Sequence, residues 1–215
     1  MDGIGPQLRH AGLNLQDDPR EVRAQVESDV FGFWIFLMSD AVLFALLFAV
    51  YGTSLVATAG APGPAQEFKL GAAFIETLLL LTSSFTFGMA SIALKRDYRA
   101  RRLVLWLLVT VALGVAFLAM EANDFRTMGL HGAMPDRSFF LSAFFVLVGM
   151  HGLHVTTGVV WVLVMLLQIA AIGRDQKVKI NLIRLSLFWH FLDVVWIAIF
   201  SVVYLQGLIP PGGAP

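Results

Sequence analysis

The sequence predicts an all-α integral membrane bundle of five transmembrane helices. Three observations carry that reading. The composition is 58% hydrophobic and only 14% charged, with a mean hydropathy of +0.76, far more apolar than a soluble domain. Five apolar runs, roughly 30–56, 70–94, 103–120, 139–172 and 182–208, are each long enough to cross a bilayer as a helix. The runs are continuous rather than alternating, and an open sheet cannot sit in lipid, so strands are excluded. No internal repeat or low-complexity segment is present.

The stretch before the first run, residues 1–29, lacks the basic segment and apolar core of a cleaved signal peptide. It reads as a polar cytoplasmic tail, partly helical from Pro19 to Ser28. The transmembrane domain is expected over 30–208 and a short external tail over 209–215. Twelve of the fifteen Lys and Arg residues fall in the N-terminal tail and in the second and fourth links; Lys69, Arg126 and Arg137 lie on the other side. The positive-inside bias therefore predicts a cytoplasmic N-terminus and an outer, periplasmic C-terminus. The net charge of +0 argues against a nucleic-acid surface, and the absence of cysteine excludes disulfides and thiolate metal sites.

In the first span, Asp40 lies some ten residues beyond Val30, about 15 Å deep at the helical rise. Its own helix offers no neighbouring cation. It is either a proton-exchanging carboxyl or a buried acid paired with another helix, since an Asp at that depth costs about 2.5–3.5 kcal/mol. The second span carries Glu76, then Ser83, Ser84 and Gly88 on one face. Such a stripe marks close helix packing more often than chemistry. Glu121 closes the third span beside Asn123, Asp124 and Arg126, which reads as a solvated or interfacial cluster.

The fourth span contains GMHGLHVTTG, placing His151 and His154 three apart on one face. Gly149, Gly152 and Gly158 would let a neighbouring backbone approach. The fifth span, LSLFWHFLDVVWIAIFSVVY, carries His190 and Asp193 on a shared face flanked by Trp189 and Trp196. That face is expected to turn inward and find a protein partner. Histidines on facing helices can hold haem, so an electron carrier using His151, His154 and His190 is one rival function. A proton-coupled transporter using Asp40 and Glu76 is another, although no inverted repeat is visible. The spacing does not fit the His-Glu-x-x-His zinc pattern, and no nucleophile elbow, P-loop or dinucleotide fingerprint occurs.

MHGLHVTTG and FWHFLDVVWIAIFSVVY, together with FGFWIFLMSDAVLF and DRSFFLSAFF, resemble subunit III of the haem-copper respiratory oxidases. The five-span form is most similar to subunit III of the cytochrome bo-type ubiquinol oxidases. The resemblance covers Phe31 to Gly207. It implies an accessory subunit of a proton-pumping terminal quinol oxidase in the bacterial inner membrane, with no catalytic residue and no metal of its own. It implies haems and copper in a partner subunit I in direct contact, further subunits II and IV, and bound phospholipid. Cytochrome c oxidases and nitric-oxide-reductase-associated homologues share the motifs. Carried over by position, Asp40 stands where relatives have a buried reactive Glu, one methylene longer, and Glu121 matches an acidic position at a helix end. Asp40, Glu76 and Glu121 become the buried, proton-linked candidates; His151, His154, His190 and Asp193 become interhelical packing residues.

Overall fold

Hydropathy alone demands that each apolar run close its own backbone hydrogen bonds, and each does so as a helix. The computed structural model describes residues 20–55, 70–95, 100–133, 135–171, 173 and 176–205. Helix α1 spans Arg20–Ser54, α2 Leu70–Lys95, α3 Ala100–Leu130, α4 Phe139–Ala171 and α5 Gln176–Ile199. A π-helical turn, Phe200–Leu205, continues α5. All five are long and apolar enough to cross a membrane, and no strand occurs among the described residues. The expected external tail and the first 19 residues lie outside the described residues; α1 itself is helical from Arg20.

The third helix departs most from the sequence reading. It continues ten residues past Met120, because Glu121 and Met128 face inward at helical spacing while Asn123 and Arg126 face out. Gly132, at φ 78°, ends it: its N–H reaches the Gly129 carbonyl at 3.1 Å, and Ala133 N–H reaches Met128 at 3.0 Å. That double bond is the Schellman arrangement, which a side chain at positive φ would strain. Ser138 then caps α4, its hydroxyl accepting from Leu141 N–H at 3.1 Å.

The packing pattern is a closed four-helix ring with a fifth helix outside it. Helix α2 lies along α3, α3 along α4, α4 along α5 and α5 along α2, while α1 rests on α4 and α5. Accordingly α1 leaves Phe31, Trp34, Ile35, Phe36, Val42 and Leu46 exposed, and buries Leu37, Phe44 and Tyr51. Lipid tails are as apolar as leucine, so close packing and interhelical hydrogen bonds must hold the ring together.

Packing is closest around Trp189. A Cβ on Gly114 of α3 would lie 3.0 Å from its ring carbon Cη2, and one on Gly158 of α4 would lie 3.2 Å from Cζ3. The indole thus fills a slot bounded by two glycines. The small residues of α4 were expected to admit a backbone; here they admit side chains, the Trp189 ring at Gly158 and the Glu121 carboxylate at Gly152. Gly88 faces open space and takes no part in close packing.

Candidate functional site

Hydroxyls on α2 and large polar rings on α5 meet in a repeating seam. Trp196 Nε1 donates to Thr77 Oγ1 at 3.0 Å and Trp189 Nε1 donates to Ser83 Oγ at 3.1 Å. Ser84 Oγ and His190 Nδ1 are 3.0 Å apart, and Ser91 lies 3.4 Å from Ser186. Positions 77, 84 and 91 on one helix, and 196 and 189 on the other, recur every seven residues, the register of helices crossing at a shallow angle. Each bond in such a seam contributes about 0.6 kcal/mol. Next to it Thr86 and Thr110 join α2 to α3 at 2.8 Å.

The seam corrects the expected orientation of His190 and Asp193. The inward stripe of α5 consists of Leu185, Phe188, Trp189, Leu192, Val195, Trp196 and Ile199. Both tryptophans belong to it. His190 and Asp193 fall on the edge beside α2, where Ser84 bonds both, yet His190 is exposed and Asp193 half-buried. The pair therefore opens onto the outside of this bundle near the middle of a span that runs Lys177–Leu205.

Asp40 finds its partner on another helix. His154 Nε2 lies 3.5 Å from Asp40 Oδ2, an ion-pair distance too long for a direct hydrogen bond, and the side chains are 17% and 13% exposed. His154 Nδ1 lies 2.8 Å from the Met150 carbonyl, which can only accept, so Nδ1 carries a hydrogen and Nε2 is free to face the acid. The Phe44 ring packs on His154 with centroids 5.2 Å apart.

At the end where α1, α3 and α5 finish, Glu76 and Glu121 are both buried, at 1% and 6% exposure. Burial of Glu121 overturns the solvated reading; the continuing helix carries it inside, with its carboxylate against Gly152. Tyr51 of α1 and Tyr204 of the π-helical turn are buried in the same region, and Tyr204 interacts electrostatically with Glu76, Glu121, Asp124 and Tyr51. His151 is wholly buried, stacked on Trp196 at 5.3 Å and met edge-on by Phe117 at 5.9 Å.

Sequence reasoning did not find the two tyrosines. Tyr51 at a span end reads as an ordinary interfacial aromatic. Tyr204 turns inward because the wider π-helical turn rotates it away from its α-helical direction, which no residue pattern announces. A third unforeseen contact, Arg184 to Asp29 at 2.9 Å, ties α5 to α1. Being largely open to solvent, it contributes about 0.2–1 kcal/mol.

The three histidines of the suggested haem or metal site do not converge. His151 is sandwiched by aromatic rings, His154 faces Asp40 and His190 faces Ser84 on the outer edge. Among the described residues no group of three or more His, Asp or Glu side chains could hold a metal ion. What the described contacts do is hold the helices together.

The fold and these motifs define a helical subunit of a respiratory oxidase: the sequence profile of the cytochrome c oxidase subunit III family matches residues 21–208, and the chain belongs to that family. Among its relatives, the cytochrome bo(3) ubiquinol oxidase subunit 3 of Pseudomonas aeruginosa is 47% identical over 84% of this chain and 86% of its own. The quinol oxidase subunit 3 of Bacillus spizizenii is 40% identical over 94% and 98%. The cytochrome c oxidase subunit 3 of Bacillus strain PS3 is 38% identical over 88% and 91%.

Proposed function

We propose that the chain is the accessory third subunit of a haem-copper quinol oxidase in the bacterial cytoplasmic membrane. The observation that carries this reading is similarity over most of the chain to quinol oxidase subunits at 38–47% identity, the higher values lying above the 38% shared with a cytochrome c oxidase relative. In this reading, haems and copper reside in subunit I, which binds this chain directly; subunits II and IV complete the complex. This chain supports assembly, holds phospholipid and sustains proton uptake, with Asp40 and His154 as its proton-linked pair.

The exposed edge of α5 supports a partner subunit. His190 is exposed at mid-span, with the half-buried Asp193 beside it, where polar groups facing lipid are costly. A protein surface that completes their hydrogen bonds removes that cost. An affinity-tagged chain extracted in mild detergent is expected to bring down subunits whose eluate shows a haem spectrum. A tagged chain that is stably inserted but co-purifies with no haem would contradict the proposal.

The orientation follows from charge. Because the chain has no cysteine, single cysteines at Gly3, Ala100 and Gly173 are expected to stay shielded from an impermeant thiol reagent in intact cells, while Gly63 and Gly212 label. Labelling at Ala100 from outside would reverse the assignment.

A further inference from the structure

All five helices send a polar side chain to one region of the bundle, and most of these groups lack a partner. Tyr51 comes from α1, Glu76 from α2, Glu121 and Asp124 from α3, His151 from α4, and Tyr204 from the turn that extends α5. The Tyr51 hydroxyl, Glu76 Oε1, both Glu121 carboxylate oxygens and both His151 ring nitrogens are buried without any hydrogen-bond partner among the described residues. Glu121 interacts electrostatically with Glu76 and Asp124, and Tyr204 with all three acids and Tyr51, so the groups occupy one neighbourhood. His151 joins it through Trp196, which stacks on His151 at 5.3 Å and packs against Tyr204 at 6.2 Å.

A dry node is untenable. Six buried polar atoms without partners are together strongly destabilising, since each gives up its bond to water and gains none in return. Two buried carboxylates in one neighbourhood would add to that cost. Among the described residues, none of the groups just named is a Lys or Arg. Both costs vanish together if protons neutralise the acids and water supplies the missing partners. Trapped water needs two to four polar neighbours, and this node offers them. Gly152 seats the Glu121 carboxylate against α4, since a Cβ there would lie 3.0 Å from Glu121 Oε1.

We propose that this node is a binding site for a small cluster of internal water, held between Glu76 and Glu121 as neutral carboxylic acids. Each acid O–H, the Tyr51 hydroxyl and one His151 N–H donate to water, and the remaining oxygens and ring nitrogen accept from it. Protons can then pass between the two acids through water without passing through lipid.

Infrared spectroscopy of the purified full-length chain tests this. The chain contains five glutamates, and Glu21, Glu27 and Glu67 lie in polar stretches outside the apolar runs. Growth on carbon-13 glutamate therefore marks Glu76 and Glu121 among the buried groups. At neutral pH the native protein is expected to show a protonated-carboxyl stretch that moves with the isotope and moves again in heavy water. The band should weaken in Glu76→Gln and in Glu121→Gln and vanish in the double variant. Absence of an isotope-sensitive protonated band in the native protein would overturn the proposal even if neither variant folds. A band that ignores heavy water would show a dry node and would also overturn it, as would a band surviving both substitutions.

Discussion

Gly158→Leu is expected to leave almost no folded subunit in the membrane. A Cβ at this position would sit 3.2 Å from Cζ3 and 3.3 Å from Cε3 of Trp189, and the further carbons of leucine would enter the ring itself. Trp189 cannot retreat, because a Cβ position on Gly114 lies 3.0 Å from its other edge and its indole N–H is fixed on Ser83. Overpacking of this kind costs typically about 1–3 kcal/mol, and more where both walls are rigid. Emptying the slot is also harmful: Trp189→Ala is expected to cost about 3–5 kcal/mol through the cavity it leaves. Immunoblots of membranes and thermal aggregation of the detergent-solubilised chain check both. Native abundance and native melting of Gly158→Leu would show that α3, α4 and α5 do not meet as described.

Asp40→Ala is expected to shorten the working life of the complex rather than its initial speed. Losing the acid leaves His154 Nε2 facing a void, at about 1–3 kcal/mol for an orphaned partner. Helix α1 is the outlying helix, resting on α4 and α5 alone among the principal contacts, so weakening its contact with α4 loosens the whole element. Asp40→Asn keeps the shape and a hydrogen-bonding amide, and its initial oxygen consumption is expected to match the native rate. An oxygen-electrode trace distinguishes the cases: a steep loss of initial rate in Asp40→Asn, with all subunits and haems present, would make the carboxyl an obligatory proton carrier.

The buried acids differ in their surroundings. Asp40 has a basic partner, His154, at ion-pair distance. Glu76 and Glu121 have each other and hydroxyls, so neutrality there requires protons from outside the pair. The acids themselves stand on different helices, Asp40 on α1, Glu76 on α2 and Glu121 on α3.

Most of the fold was legible because a bilayer tolerates so few solutions. Five apolar runs of spanning length could become only helices, and the Ser83–Ser84 stripe announced the face that meets α5. The end of α3 was not legible. Glu121, Asp124 and Arg126 look like a polar link, yet the helix continues because only some of them need face water. Orientation within α5 was also hidden. Trp189 and Trp196 compete with His190 and Asp193 for the inward face, and the slot between Gly114 and Gly158, formed by two other helices, decides for the tryptophans. In the same way His154 could not be matched to Asp40 from sequence, since nothing local relates α4 to α1.

In the proposed role, this subunit sustains an oxidase without supplying any of its chemistry. The most direct measurement is initial quinol-dependent oxygen consumption per haem, compared between the intact complex and complex from cells lacking this chain. Equal initial rates, followed by faster inactivation of the depleted complex during turnover, are the predicted result. Initial oxygen reduction that disappears when the chain is absent, while every haem and every other subunit remains, would contradict it.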